Sequence, residues 1–110
     1  MSKDSLGDLE FLVLLAILRL EDHAYGVSIA EELDERAGRS LSRATIHVTL
    51  RRLEEHGLVG SELGAPRDDR GGKPRRYYRV RAAGLQLVRR SKETYSRMWH
   101  GLGAVLEGSR

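Results

Sequence analysis

The chain has 110 residues, 40% of them apolar, which is the size of one domain with a modest core that pairing with a second copy would usefully enlarge. It has no cysteine, which excludes a disulfide framework and a thiolate metal site and fits a reducing compartment. The net charge of +3 is unevenly spread: ten of the nineteen Lys and Arg but five of the sixteen Asp and Glu fall between residues 42 and 81, so that segment carries +5 and the remainder −2. A local positive surface attracts polyanions by releasing condensed counterions, and binding of that kind weakens steeply with salt. On charge alone a solvated face is the alternative.

Ser2 to Ser5 are polar, and the apolar run Phe11 to Leu18 is too short to span a bilayer and follows an acid where a signal peptide would be basic. The expected location is the cytoplasm, with no membrane partner. Leu9 to Leu20 is apolar nearly all round, broken mainly by Glu10 and Arg19, and predicts a first helix buried on several sides. After the polar break Glu21-Asp22-His23, Tyr25-Gly26 opens a second run in which Val27, Ile29, Ala30 and Leu33 alternate with Glu31, Glu32, Asp34 and Glu35. Gly38 stops it, and a brief link leads to a third helix, as a helix-turn-helix requires.

That third helix, within Leu41 to Leu58, organises the rest. Ser42 is placed to accept from an unpaired first-turn amide, and Gly57 tolerates a left-handed stop. Ile46, Leu50 and Leu53 share one face, while Arg43, Ala44, His47, Val48, Arg51 and Arg52 point away. Arginines, one imidazole and small residues on an outward side suit the major groove, where arginine reads guanine edges and small side chains permit close approach. Leu58 to Leu63 and Tyr77 to Val80 then read as a hairpin, with Tyr78 and Val80 on one side and Tyr77 and Arg79 on the other. Between them lies a long loop of glycines, prolines and charges carrying Arg67, Arg70, Lys73, Arg75 and Arg76. The fold class is therefore mainly α with a small β-hairpin wing: a winged helix-turn-helix over residues 1–81. The wing tip can reach phosphates or the minor groove beside the third helix.

Residues 82–110 predict a C-terminal dimerisation helix in the same compact unit. Leu85, Val88, Lys92, Tyr95, Trp99, Leu102 and Leu106 follow one another at heptad steps, a seam with one polar interruption. It either lies across the first helix or pairs with a second copy, and the small surface of a winged helix favours the homodimer. Gly101 and Gly103 lower helix propensity near its end.

The chain resembles the PadR family of winged-helix transcriptional regulators over about Leu6 to Val88. The resemblance rests on Leu6-Gly7-Asp8-Leu9-Glu10, on Tyr25-Gly26, on Ser42 with Leu50-Arg51-Arg52-Leu53-Glu54 and Gly57-Leu58-Val59, and on Lys73-Pro74-Arg75-Arg76-Tyr77-Tyr78. It implies a dimeric DNA-binding repressor of the smaller subgroup, whose C-terminal helices pair across the two-fold and whose effectors are small aromatic or planar molecules. His47 and Val48 stand where the family often has tyrosine and proline, and Arg81 where it often has a capping threonine.

The expected DNA-binding residues are Ser42, Arg43, Ala44, Thr45, His47, Val48, Arg51, Arg52, Lys73, Arg75 and Arg76. The expected dimer interface is Leu85, Val88, Tyr95, Trp99, Leu102 and Leu106. His47 reads as a phosphate or base contact rather than a pH switch, because no nearby residue is expected to fix it. Trp99 is either interface packing or a stacking platform for a small planar aromatic ligand, a role the family resemblance implies. His23, His56 and His100 are scattered, so neither a metal site nor a cofactor is expected. No nucleophile elbow, phosphate loop or dinucleotide fingerprint occurs, so an enzyme is not expected. The competing class is a winged-helix interaction module docking its basic wing on an acidic partner.

Overall fold

A computed structural model describes residues 7–65 and 73–108, so Arg67 and Arg70 of the expected basic loop lie outside the described residues. Helix α1 runs Asp8–Leu20, opened by Gly7, whose backbone N–H donates to the Glu10 carboxylate at 3.0 Å. Its acids sit in the first turn and Arg19 in the last, matching the helix dipole. Val13, Leu14, Ala16 and Ile17 are buried, and Phe11, Leu12 and Leu15 half-buried, as a helix without a wet face demands. A single turn of 3-10 helix, Glu21–His23, leads to α2, Gly26–Ala37. There the Ser28 hydroxyl accepts from the Tyr25 N–H at 3.0 Å and donates to the His23 carbonyl at 2.6 Å. Helix α2 buries Ile29 and Leu33 and stops at left-handed Gly38.

Helix α3 is Arg43–Glu55, and the strands are β1, Val59–Leu63, and β2, Arg76–Val80. They pair antiparallel from Val59 opposite Val80 to Leu63 opposite Arg76. Tyr78 is buried while Arg79 is exposed, the alternation the sequence implied. The hairpin does not stand alone. The Tyr78 N–H donates to the Ala24 carbonyl at 2.9 Å, and Tyr25 forms a bridge with Tyr77, so the wing base is sewn to the turn before α2. One cluster unites the three helices and the hairpin: Val13, Leu14, Ile17, Ile29, Ile46, Leu50, Leu53 and Val59 are among its members.

Helix α4, Ala82–Trp99, begins one residue after β2 and passes over Leu58 at Gly84. A Cβ at Gly84 would stand 2.4 Å from the Leu58 carbonyl oxygen and 2.9 Å from a Val80 methyl, so a glycine is required for the close approach. Leu87 and Val88 are half-buried against the core, Leu85 is half-buried as well, and from Lys92 onward every described residue is exposed. The helix thus projects from the body, and the radius of gyration is 16.3 Å against about 13 Å for a compact chain of this length.

The continuous seam expected from Leu85 to Leu106 is corrected here. The helix ends at Trp99, His100 turns extended, Gly101 adopts φ +83°, and a separate short helix α5 covers Gly103–Leu106. Glycine at 101 admits a left-handed stop that the heptad spacing had concealed. Val88 packs against the chain's own core, while Leu102 and Leu106 lie beyond the break.

Among the described residues no helix is long and apolar enough to cross a membrane. Gly84→Ala is expected to destabilise the fold by roughly 1–3 kcal/mol in chemical denaturation, because backbone must move. Gly103→Ala, with open space around its Cβ, is expected to leave stability unchanged or slightly raised. Glu32 contacts Arg36 at 2.7 Å and Arg19 of α1 at 3.2 Å. The Arg36 hydrogen bond above all, then the remaining pull of Arg36 and Arg19, holds its carboxyl below the usual range despite partial desolvation. A carboxyl whose value is depressed in the folded state stabilises above the unfolded value and stops doing so as pH falls through the depressed one. Glu32→Gln should therefore be less stable than wild type at neutral pH. The gap should close as pH falls below about 4.5, measured by urea unfolding across a pH series.

Candidate nucleic-acid interface

The inward side of α3 is fixed by Ile46, Leu50 and Leu53, at most 2% exposed. Its start is set by Ser42, whose hydroxyl accepts from the Thr45 N–H at 3.1 Å and meets the Thr45 hydroxyl at 2.9 Å. Thr49, buried, donates its hydroxyl to the Thr45 carbonyl at 2.8 Å. Ser42 and Thr45, both expected at the DNA surface, are thus engaged with each other at the helix cap.

The opposite side carries Ala44, His47, Val48, Arg51 and Arg52, and Arg43 stands in the first turn; all are exposed, with Val48 at 50%. None of the three arginines makes an ion pair among the described residues. The expectation that His47 has no partner is corrected: an Arg51 guanidinium nitrogen lies 3.1 Å from His47 Nε2, one turn away. That contact uses Nε2 as acceptor, so the ring is neutral in it and the arginine is steered along the helix face.

The wing base supplies the second wall. Between the start of α2, the outward side of α3 and the approach to β2 lies a cleft of about 840 Å³. Its floor includes Ile46, Leu50 and Tyr78, and its cationic lining comes from Arg43, beside His47, on one side and Arg75 and Arg76 on the other. Glu31 is the carboxylate in the lining. Val48, Arg51 and Arg52 stand on α3 outside the cleft, so the expected site divides into an open helical face and a walled groove beside it. Arg76 donates to the Ser61 hydroxyl at 3.1 Å, and Ser61 donates to Glu54 of α3 at 2.6 Å, a relay joining wing to helix. Arg79 pairs with Glu62 across the hairpin at 3.4 Å. Lys73 is exposed at the foot of the loop.

At the far end of α4, Trp99 is 62% exposed and tilted against Tyr95 with ring centres 6.0 Å apart. Tyr95 in turn sets its edge to Phe11 of α1 at 6.1 Å. Among the described residues no group of three or more His, Cys, Asp or Glu is placed to hold a metal ion.

A three-helix body with an outward cationic helix and a hairpin wing is the architecture expected from the sequence, and the family model for the transcriptional regulator PadR-like family matches residues 14–90. The chain belongs to the PadR-like family. A PadR family transcriptional regulator of Eggerthella lenta is 34% identical, with 91% of this chain and 87% of that one covered and a TM-score of 0.64. A PadR family regulator of Clostridium difficile superposes with a TM-score of 0.72 at 25% identity, covering 91% and 99% of the two chains. Bacillus subtilis PadR in complex with operator DNA shares the fold at 19% identity and a TM-score of 0.61, covering 74% and 44%. As a PadR-like protein the chain is a DNA-binding transcriptional regulator and not an enzyme.

Sequence reading missed Tyr25, which lines the cleft, and the Glu54–Ser61–Arg76 relay. Along the chain Tyr25 marks only the opening of α2 and one motif of the resemblance, since its ring contacts come from the wing fifty positions away. Ser42→Ala should lower stability by about 1 kcal/mol through loss of the α3 cap, and Ser42→Asp should restore most of it. Chemical denaturation of the three proteins checks this.

Proposed function

We propose that the protein represses transcription as a homodimer. The two copies of α3 enter successive major grooves of a roughly palindromic operator about 34 Å apart, with the wings alongside. The observation that carries this reading is the division of α3: one side is locked into the core, and the other presents Arg43, His47, Arg51 and Arg52 without ion pairs among the described residues. Arg51 and Arg52 suit base edges, while Arg43, Lys73, Arg75 and Arg76 suit phosphates. The operator-bound Bacillus subtilis PadR supports the same use of the shared fold.

Residues 82–110 hold the partner while residues 1–81 read DNA. Tyr95, Met98, Trp99, Leu102, Val105 and Leu106 are all exposed within twelve residues, an apolar concentration that isolated soluble chains seldom leave uncovered. A second copy of α4 covers it, and Trp99 stacks on a small planar aromatic effector held between the subunits. Repression follows from occupying the promoter, and the protein acts in the cytoplasm.

Selection of genomic fragments followed by gel shift tests the core of this reading. Retention should be sequence-selective and fall steeply with salt, with log affinity dropping by about 0.9 per phosphate contact for each tenfold rise. Arg51→Ala should weaken the selected site by about five- to a hundredfold and random DNA far less. Equal retention of competitor DNA would instead favour an interaction module. Sedimentation should give a dimer that Trp99→Asp or Leu106→Asp dissociates. Planar aromatic compounds should quench the single tryptophan saturably, and no quenching across a diverse panel removes the effector role.

A further inference from the structure

We propose that Tyr25 is a positioning residue for DNA: its ring fixes the Arg75 guanidinium at the cleft between α3 and the wing, where Arg75 clamps a phosphate of the strand lying between them. This rests on the reading of α3 and the wing as the DNA surface, and extends it to a residue outside both.

The Arg75 guanidinium carbon lies 4.0 Å above the centre of the Tyr25 ring. The ring itself is held from another side by Tyr77, edge to face, with centres 5.6 Å apart and planes at 70°. Its backbone is equally fixed. The Tyr25 N–H donates to the Ser28 hydroxyl at 3.0 Å, its carbonyl accepts from the Ile29 N–H at 2.8 Å, and Tyr25 and Tyr77 form the bridge that joins the wing to the α2 turn. A rigid aromatic plate therefore stands beside the mobile part of a long cation.

Stacking engages the face of a guanidinium and leaves its edge, with the forked N–H donors, free for a phosphate. The two contacts are compatible, and the first removes rotamer freedom before the second forms. Neighbouring arginines are differently occupied. Arg76 is turned to Ser61 and Arg79 to Glu62, whereas the Arg75 side chain has no hydrogen bond or ion pair among the described residues. Arg75 and Arg43 line the same cleft from opposite walls, so a polyanionic strand entering it meets cations on both sides.

The test is a double-mutant cycle on the full chain, read by DNA affinity across a salt series on both selected and random duplexes. Arg75→Ala should weaken both duplexes alike and flatten the salt slope by about one unit. Tyr25→Leu should weaken both by about two- to fivefold, the range of an exposed cation–π contact. Tyr25→Phe should bind like wild type, since the ring is kept. In the Arg75→Ala background Tyr25→Leu should have almost no further effect. Arg75→Lys, which keeps the charge at a half-buried surface side chain, should lose most of the affinity because an ammonium lacks the stacked fork. An equal penalty for Tyr25→Leu with and without Arg75, or full affinity in Arg75→Lys, overturns the inference while leaving the DNA-binding reading intact. Absence of salt-dependent DNA binding by the wild type overturns both.

Discussion

The burial of Ile46, Leu50 and Leu53 is the constraint from which the surface of this protein follows. These three side chains join Val13, Leu14 and Ile17 of α1 in one core cluster, and each removes well over a methylene's worth of apolar area from water. A helix has only one azimuth once three residues spaced by four and three are pinned. His47 and Arg51 are then exposed by necessity, since they occupy the arc that the core cannot reach, whereas Arg43, seven residues before Leu50, is exposed because it stands in the first turn. Removing one anchor would loosen the aim of the helix as well as the stability of the fold, because the same contacts supply both.

A second junction fixes the wing against that helix. The Ala24 carbonyl takes the Tyr78 N–H, Tyr25 bridges Tyr77, and Ser61 links Arg76 to Glu54 of α3. An isolated two-stranded hairpin is only marginally stable, so these links make the wing a defined wall rather than a loose flap. The cleft keeps its shape because the wing is tied both to the turn before α2 and, through Ser61, to α3. Its charge is organised by element: the acids of α2 lie mainly on its solvent side, with Glu32 neutralised between Arg19 and Arg36, while the cations of α3 and the wing line the groove.

Much of this was legible along the chain because its causes are local. Ser42 and the stops at Gly38 and Gly57 are signalled by residue type, and the buried set of α3 by spacing. The strand alternation at Tyr77 to Val80 follows from period two. What escaped depends on contacts between distant positions. Gly84 reads as a weak spot in a helix until the Leu58 carbonyl is found where its Cβ would go. Tyr25 has no periodic partner, only Arg75 and Tyr77 far along the chain. The pairing of His47 with Arg51 is different, for the spacing of four was in plain view. No nearby residue was expected to fix His47, yet the arginine one turn on donates to its ring. At Gly101 two local signals competed, and the heptad spacing lost to a glycine able to adopt φ +83°.

The close approach at Gly84 also fixes how the start of α4 is seated on the winged helix. With no side chain between α4 and the Leu58 carbonyl, and a single residue between β2 and the helix, the start of α4 has little freedom to swivel on the winged helix. Its 18 residues then act as a rigid arm about 27 Å long. In the proposed dimer a rotation of about 5° between paired arms shifts their far ends by roughly 2 Å, at the scale of interface shifts that switch other assemblies. A ligand seated by Trp99 would need only to favour one pairing angle to alter the separation of the two copies of α3. Were Gly84 replaced by a residue that pushed the arm off the body, the same ligand would turn a loosened joint and leave the reading helices where they were.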